Sequence, residues 1–566
     1  MNATRSLLTF AVLALALTGC AEGEESGSLQ SPQPPASQPT SDYSLREAVE
    51  RPANSEATED EAPESDIPTE EPLGNDGTRA VPAPGKVSEL ASHLEVPADA
   101  LARNLKSPEA SNTEAYTNYG VNDLVLAEQD RFSTFSIDVD TASYTIARRK
   151  LTEGRLPPTA SVRPEEFINY FDYDYVGPTG DAPFAVNMEA APNPFIDNHH
   201  ILRVGVQGRE VSSGDRKPVH LTFLVDTSGS MSSVDKMDLV KYSLGHLVQN
   251  LERGDTVALA TYAGSVRRVM GPTAVSQRAE IDAALESLFA SGSTAMSSGI
   301  DLAYEMADAS FVSGHENRVV VLSDGDANVG ATSHEQILQQ ITGYARQGIT
   351  LSTIGFGMGN YQDALMEQLA NDGDGNYFYI DSQAEAQKVF GDDLSGTLEV
   401  IAKDVKIQVE FNPDAVIGYR LIGYENRDIA DKDFRNDRVD AGEIGAGHRV
   451  TALYDVVLKD GYRDAEVATV RLRNKAPGAD SAAIEWETRF PAHLILDEFA
   501  SASPDFRLAF GAASFAELLR GSPYTAEISY AELLAILTHR SQPLDTELMS
   551  LIATAGRLSG EHIATR

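Results

Sequence analysis

The sequence contains a single cysteine, Cys20, among its 566 residues. A lone cysteine excludes a disulfide within the chain and a zinc site built from several cysteines. Basic residues are also few, because 45 Lys and Arg stand against 85 Asp and Glu, which gives a formal net charge of -40. Proteins that bind nucleic acid neutralise phosphates with clustered Lys and Arg, so we do not expect DNA or RNA as a partner.

Three widespread catalytic motifs are missing as well. The sequence has no G-x-x-x-x-G-K-[ST] and no G-x-S-x-G, and His334-Glu335 lacks the second histidine of H-E-x-x-H. An aspartyl-phosphate nucleophile at Asp226 is the most favourable enzymatic interpretation, but the phosphatase pattern needs a second aspartate two residues further on, where Ser228 stands. The sequence therefore predicts a protein that is not an enzyme.

Residues 1–19 combine Arg5 with an apolar stretch at 7–17 and small residues before Cys20. This pattern is typical of a secretory signal peptide, and the apolar stretch is too short for a stable transmembrane helix. The run Leu17-Thr18-Gly19-Cys20 resembles the bacterial lipobox, which implies cleavage before Cys20, acylation of its thiol and a membrane anchor for the mature chain. Because Ala21 follows instead of an aspartate, the resemblance favours an outer membrane where the cell has one. An ordinary signal peptide with an incidental cysteine is the alternative.

Residues 20–112 are acidic and rich in Pro, Ser and Glu, with SPQPPASQPT and ATEDEAPESDIPTEEP as low-complexity stretches. Such a composition has too few large apolar groups to offset the entropy cost of ordering. We predict a disordered tether here. By random-coil scaling, about 90 residues span on the order of 50 Å.

Two segments of folded sequence show the period-two alternation of strands. The first, 113–216, mixes strands such as PFAVNMEAAPNPF with short helices and is predicted as an α+β region. The second, 400–495, contains five strand candidates separated by Asp, Gly, Asn and Pro, which predicts an antiparallel β-sandwich. Whether the strands of 113–216 complete that sandwich is left open. Residues 496–566 are predicted to be helical.

Between these segments, residues 217–399 alternate apolar strand patterns with amphipathic helix patterns. The strands are HLTFLVD, TVALATYA, RVVVLSDGD and ITLSTIGFG. Strands that are apolar on both faces, separated by helices, are typical of a parallel sheet covered on both sides. The fold class is therefore predicted as α/β, with a doubly wound parallel sheet.

Oxygen-bearing side chains cluster where two of these strands end. Asp226 and Asp324 each end a predicted strand, Ser228 and Ser230 follow Asp226, and Thr294 lies in a loop before a helix. Ligands of doubly wound sheets bind at the carboxyl ends of the strands, so we expect these side chains to converge. Two carboxylates and three hydroxyls suit a hard divalent cation, with Mg²⁺ first and Mn²⁺ or Ca²⁺ as alternatives. A turn with polar residues is the simpler interpretation of DTSGS taken alone.

These five positions resemble the metal-ion-dependent adhesion site of von Willebrand factor type A (VWA) domains, in order and in spacing. The resemblance implies a Rossmann-like VWA domain in which Ser228, Ser230 and Thr294 contact the ion through their hydroxyls. Asp226 and Asp324 would act directly or through water. It also implies that a protein partner supplies an acidic residue as the sixth ligand, because neutral hydroxyls leave the ion electrophilic.

Sequences outside the central segment carry a second resemblance. FSTFSIDVDTASYTIARRKL, RPEEFINYFDY and DAGEIGAGHRVTALYDVV are similar to segments of bacterial envelope lipoproteins in which a VWA domain lies between a characteristic amino-terminal region and a carboxy-terminal domain of unknown function. The resemblance implies a lipid-anchored, extracytoplasmic binding protein that captures a protein ligand. Two alternatives stay open, namely a structural envelope protein whose metal only stabilises the fold, and a metal-dependent hydrolase.

Other acidic or histidine clusters are interpreted structurally. Residues 431–443 lack the EF-hand glycine and are predicted as a solvated loop, and residues 372–376 as a turn. Asp138 and Asp140 are predicted to lie on one face of a strand. The pair His199-His200 is predicted to be a strand end.

Overall fold

The computed structural model describes residues 114–180, 182–292, 296–325, 334–357, 362–477, 481–537 and 542–563. The predicted signal peptide, Cys20 and the tether lie outside these residues. Within the described part of the chain, no helix is both long enough and apolar enough to cross a bilayer.

The described segments form sixteen strands. They are β1 (Val125–Leu126), β2 (Phe132–Ser136), β3 (Phe184–Pro192), β4 (His199–Gly208), β5 (Val219–Asp226), β6 (Thr256–Tyr262), β7 (Val266–Ala274), β8 (Glu316–Ser323), β9 (Ile349–Phe356), β10 (Tyr377–Ile380), β11 (Val400–Phe411), β12 (Val416–Ile422), β13 (Ile444–Gly445), β14 (Arg449–Leu458), β15 (Glu466–Lys475) and β16 (Ile484–Pro491).

The same segments contain twelve α-helices. They are α1 (Ala142–Thr152), α2 (Pro164–Ile168), α3 (Leu239–Asn250), α4 (Arg278–Glu286), α5 (Met296–Ala309), α6 (His334–Ala345), α7 (Asp363–Asn371), α8 (Gln383–Gln387), α9 (Leu394–Leu398), α10 (Pro504–Arg520), α11 (Tyr530–Ile536) and α12 (Pro543–Leu558).

The central sheet has the order β10-β9-β8-β5-β6-β7, and its pairs are parallel except for β6 with β7. Successive residues of β5 face opposite sides of this sheet. Phe223 packs into one apolar cluster with residues of α3, while Leu224 packs into another with residues of α5. Because helices cover both faces, nearly every residue of β5, β8 and β9 is buried. The predicted doubly wound α/β fold is confirmed.

One strand of this sheet escaped the sequence analysis, which passed from β6 directly to helices. Strand β7 pairs antiparallel with β6 at the edge of the sheet, and its first residues, Val266, Arg267 and Arg268, are exposed. Only Met270 and Thr273 of β7 are buried, so the strand lacks the regular alternation of buried and exposed residues by which strands are recognised.

Two further sheets pack against each other and enclose a separate apolar core. One has the order β1-β12-β14-β4-β3, and the other has the order β13-β11-β15-β16, with β2 also paired to β11. Strand β4 precedes the central sheet in the chain, and β14 follows that sheet. The two strands nevertheless pair along their length. Side chains from both sheets, among them Val204, Val409 and Tyr454, share one apolar cluster. The flanking strands therefore form one antiparallel sandwich, into which the α/β segment is inserted.

The carboxy-terminal helices pack against the helices that follow β2. Phe167 of α2 lies edge-on to Phe515 of α10, with ring centroids 6.0 Å apart. Tyr144 of α1 and Tyr170 stack at 3.9 Å and belong to the same apolar cluster as Phe515. The two ends of the described chain thus bury a common helical core.

A buried ion pair ties β12 to α10. The Glu517 carboxylate is 2% exposed and lies 3.1 Å from the Arg420 guanidinium, and it also contacts Arg520. Burial alone would raise the pKa of Glu517, but the two guanidiniums and the Ser522 hydroxyl lower it to about 2.

We expect this pair to contribute stability that is lost in acid. Because the pKa of Glu517 is lower in the folded chain than in the unfolded chain, the contribution is present above about pH 5 and is lost as the pH falls towards 2, by on the order of 3 kcal/mol. Denaturant unfolding from pH 7 to pH 3 should show that Glu517→Gln has a lower free energy of unfolding than the wild type. This difference should become smaller as the pH falls. Glu128→Gln is the control, because Glu128 forms an exposed pair with Lys459. Its free energy of unfolding should not approach that of the wild type in this way as the pH falls. A constant deficit for Glu517→Gln at every pH would contradict this account.

Candidate metal site at the edge of the central sheet

Two carboxylates end neighbouring strands at the same edge of the central sheet. Asp226 is the last residue of β5, and Asp324 directly follows β8, which pairs parallel with β5 through Val225 and Leu322. Asp226 is 0% and Asp324 is 1% exposed. The apolar residues before each aspartate fix the strands in the core, and the parallel pairing brings both carboxylates to one place.

Hydrogen bonds orient the Asp226 carboxylate. Its Oδ1 accepts the backbone N–H of Ser228 at 2.7 Å, and its Oδ2 accepts the hydroxyl of Ser323 at 3.2 Å. Burial raises the pKa of Asp226 to about 6, the bonds from Ser228 oppose that rise, and the Asp324 carboxylate adds to it. Two carboxylates close together in a buried place favour a positive charge between them.

The two serines after Asp226 lie side by side. The hydroxyl oxygens of Ser228 and Ser230 are 2.8 Å apart. The backbone N–H of Gly229 donates to the carbonyl of Gly292 at 3.0 Å, which holds this loop against the loop that leads to α5. Thr294, the predicted third hydroxyl, belongs to that second loop but lies outside the described residues, so its position stays a prediction.

Lys236 also reaches this edge, although the sequence analysis did not select it. Its ammonium group donates to Oδ2 of Asp324 at 2.9 Å, and the residue is 7% exposed. The lysine stem lies against Gly357, where a Cβ atom would overlap it. Nothing in the spacing of the DTSGS run marks this lysine, because the contact depends on the turn between Ser230 and α3.

The side chains at this edge fit a hard divalent cation. Asp226, Asp324, Ser228 and Ser230 offer only oxygen, and they include no imidazole or thiolate that would favour a softer metal. Lys236 supplies a positive charge to Asp324 in the same place, so a cation would share that carboxylate with the ammonium group. The donor chemistry therefore matches the predicted ion, and Lys236 is an added feature.

Asp138 and Asp140 were predicted to lie on a strand face, and this prediction is wrong. Strand β2 ends at Ser136, and both aspartates lie in the following loop, where they are 4% and 3% exposed. The Arg427 guanidinium binds the two carboxylates at 3.0 Å each. A distant arginine, which local periodicity cannot reveal, allows these acids to be buried.

The remaining clusters agree with their structural interpretations. Residues 431–443 form a largely exposed or half-buried loop, and residues 372–376 form a turn before β10 in which Asp374 has a φ of 48°. His199 begins β4, and its Nδ1 lies 2.8 Å from the Asp455 carboxylate. A local turn thus accounts for residues 372–376, and a pair with a residue far along the chain holds His199.

Comparison with known proteins matches three parts of the chain to described families. Residues 220–392 match the von Willebrand factor type A domain, residues 110–203 match a family described as von Willebrand factor, and residues 396–558 match the family described as "Uncharacterized protein YfbK, C-terminal". VWA domains are associated in general with protein binding or adhesion.

Individual proteins are also similar to this chain. "Uncharacterized protein YfbK" of Escherichia coli (strain K12) is 38% identical over 467 residues, which cover 78% of this chain and 80% of that protein. Inter-alpha-trypsin inhibitor heavy chain H3 of Homo sapiens is 23% identical over 302 residues, which cover 49% of this chain and 32% of that protein. A solved von Willebrand factor type A structure from Catenulispora acidiphila covers 68% of this chain and 91% of its own, at 16% identity and a TM-score of 0.41.

The identity to the Escherichia coli protein extends beyond the central domain into both flanks, and the separate carboxy-terminal match agrees with it. The chain therefore belongs to the family of YfbK, in which a VWA domain is joined to a YfbK-type carboxy-terminal domain.

Proposed function

We propose that this chain is a lipid-anchored, extracytoplasmic binding protein whose VWA domain captures a protein ligand through a divalent cation. The observation that carries the proposal is the convergence of Asp226, Ser228, Ser230 and Asp324 at one edge of the central sheet. With Thr294 from the adjoining loop, these residues would hold the ion, with Mg²⁺ as the first candidate.

In the proposed site, each of these side chains would have its own role in binding the cation. The bonds from Ser228 and Ser323 hold the Asp226 carboxylate in one orientation, so less ordering entropy is lost when an ion arrives. The adjacent hydroxyls of Ser228 and Ser230 provide neutral oxygens. An ion bound by few charged ligands retains affinity for an acidic group of a partner. Lys236 would hold the Asp324 carboxylate in place before the ion binds.

The flanking parts of the chain would present this site away from a membrane. The proposed lipid on Cys20 would anchor the chain in the cell envelope, at the outer membrane where the cell has one. The acidic tether at 20–112 would give the folded part a reach on the order of 50 Å.

Replacing Cys20 with serine tests the anchor. A serine hydroxyl cannot replace the thiol that a lipobox cysteine offers for acylation, so Cys20→Ser should move the protein from the membrane fraction to the soluble extracytoplasmic fraction. Immunoblotting of separated fractions measures this. Thr18→Ser is the matched control, because it leaves the cysteine in place and should keep the protein with the membrane. If Cys20→Ser sediments with the membrane like the wild type, the proposed anchor is wrong.

A structural envelope role is the second candidate, favoured by the near-complete burial of both aspartates. A cation bound only to stabilise the fold would raise the melting temperature without supporting any partner. Cross-linking in intact cells, with and without chelator, separates the two. Chelator-sensitive cross-links support ligand capture, whereas a metal-dependent melting temperature with unchanged cross-links supports the structural role. A metal-dependent hydrolase is the third candidate, and it has less support than the other two because the sequence lacks the three catalytic motifs considered.

A further inference from the structure

Three buried carboxylates converge outside the VWA site. Asp138 lies in the loop after β2, and Glu165 and Glu166 lie in the first turn of α2. One oxygen atom of each lies within 4.8 Å of the others. The three residues are 4%, 1% and 0% exposed. This cluster lies in the sandwich and helical part of the chain, so it is separate from the edge of the central sheet.

Backbone donors orient each of the three carboxylates. Asp138 Oδ1 accepts the N–H of Asp140 at 2.9 Å, and Glu166 Oε2 accepts the N–H of Ser143 at 2.7 Å. Glu165 Oε2 accepts the N–H of Tyr424 at 2.9 Å. Asp138 also accepts from the Arg427 guanidinium, and Glu166 accepts from that of Arg163. An ionised carboxylate offers about four lone-pair positions, so two accepted bonds still leave room for a metal ion.

Glu165 carries the observation that points to a ligand. Its second oxygen, Oε1, is buried and has no hydrogen-bond partner among the described residues. Buried polar atoms are nearly always paired, and leaving an acceptor unpaired costs about 1–3 kcal/mol, or more when the group is charged. An ion bound beside Glu165 would remove that cost.

The charge balance of the surrounding region points the same way. Six buried carboxylates lie close to one another, from Asp138, Asp140, Glu165, Glu166, Asp363 and Glu367. Two guanidiniums pair with them, from Arg163 and Arg427. A buried charge without a partner is strongly unfavourable, and two guanidiniums do not balance six carboxylates. A divalent cation would offset part of the excess.

Two clefts border the cluster, one at Asp138 and the other at Glu165. Asp138 lines a cleft of about 360 Å³ together with Asp140 and Asn426. Glu165 lines a second cleft of about 450 Å³, which Asn426 also borders. Each cleft therefore brings solvent close to one of the three residues.

We propose that Asp138, Glu165 and Glu166 bind a second divalent cation, for which Ca²⁺ is the best match. Ca²⁺ takes oxygen ligands at 2.3–2.6 Å, so two oxygens on opposite sides of one ion are about 5 Å apart, and the three ligand atoms lie within that limit. The ion would connect the loop after β2 to α2. Through Tyr424 and Arg163 it would also support the contacts of these elements with the segment after β12 and with α7.

Calcium titration of the full chain in detergent tests this site. Asp226→Ala removes the VWA site, and calorimetry of that variant should still detect one Ca²⁺ per chain together with a calcium-dependent rise in melting temperature. In the Asp226→Ala chain, a second substitution, Glu165→Gln, should lower the Ca²⁺ affinity by roughly tenfold or more. Loss of even an outer partner of a metal ligand lowers metal affinity by about that factor. Adding Asp428→Asn, at an exposed acid of the first cleft, should leave it unchanged.

Two outcomes would overturn the second site. One is an Asp226→Ala chain that neither binds Ca²⁺ nor gains melting temperature with it, which would mean that protons alone neutralise the cluster. The other is a Glu165→Gln chain that binds as before. A melting curve in chelator shows that each variant is folded, and Asp138→Asn provides an independent loss of one ligand. Failure of partner capture at the VWA site would leave these outcomes unaffected.

Discussion

Replacing Asp226 with alanine will weaken Mg²⁺ binding by roughly a hundredfold or more, since loss of even an outer partner of a metal ligand costs about 10- to 100-fold. Asp226 ends β5 in a fully buried position, so the substitution removes its carboxylate from the centre of the site. The substitution also frees the N–H of Ser228 that now orders the loop with both serine hydroxyls. Calorimetric titration with Mg²⁺ measures the change.

Asp238→Ala provides the matched control, because Asp238 is an exposed aspartate at the start of α3 on the same loop-helix connection. The Asp238→Ala chain should bind Mg²⁺ with the same affinity as the wild type. Circular dichroism of both variants shows whether the fold is retained. Equal Mg²⁺ affinity in Asp226→Ala and the wild type would remove the basis for an ion at this edge.

Gly445→Ala is expected to lower the free energy of unfolding substantially. Gly445 of β13 pairs with Val400 of β11, and a Cβ atom there would overlap the carbonyl group of Gly396 in α9. The obstructing atoms are backbone, so a change of rotamer cannot relieve the overlap. Overpacking that forces backbone shifts typically costs about 1–3 kcal/mol. The contact joins the end of the VWA segment to the sandwich, so its disruption should loosen the junction between them.

The control for this substitution is Gly177→Ala, because a Cβ atom at Gly177 meets nothing within 4 Å and the residue does not require a positive φ. Denaturant titration followed by circular dichroism should show a clearly lower midpoint for Gly445→Ala and an unchanged midpoint for Gly177→Ala. Equal midpoints would mean that the strand pair between β11 and β13 carries little stability.

Local patterns predicted most strands and helices because each has a buried face that imposes its own period. The neighbouring positions of Asp226 and Asp324 also followed from sequence, since parallel strands end at the same edge of a sheet. Strand β7 buries only Met270 and Thr273, too few to impose a period, and it was missed. Pairing of β4 with β14 was left open, because residues far apart in the chain form that pair and neither strand alone specifies its partner.

The same limit applies to the charged residues. Lys236 reaches Asp324 across 88 positions of sequence, and Arg427 reaches Asp138 across 289. Each of these acids has an ordinary local context, so its burial depends on a cation that only the folded chain brings close. Acids buried by such pairs cannot be distinguished from solvated ones by periodicity.

Capture of a protein ligand that depends on the bound ion is the central expectation for this chain. The decisive measurement is affinity capture from envelope extract by the immobilised wild-type chain, in Mg²⁺ and in chelator, alongside Asp226→Ala and Asp238→Ala in Mg²⁺. We predict a set of proteins that the wild type and Asp238→Ala retain in Mg²⁺, and that chelator and Asp226→Ala both release. The same proteins bound under all four conditions, or none bound under any, would contradict the proposed function.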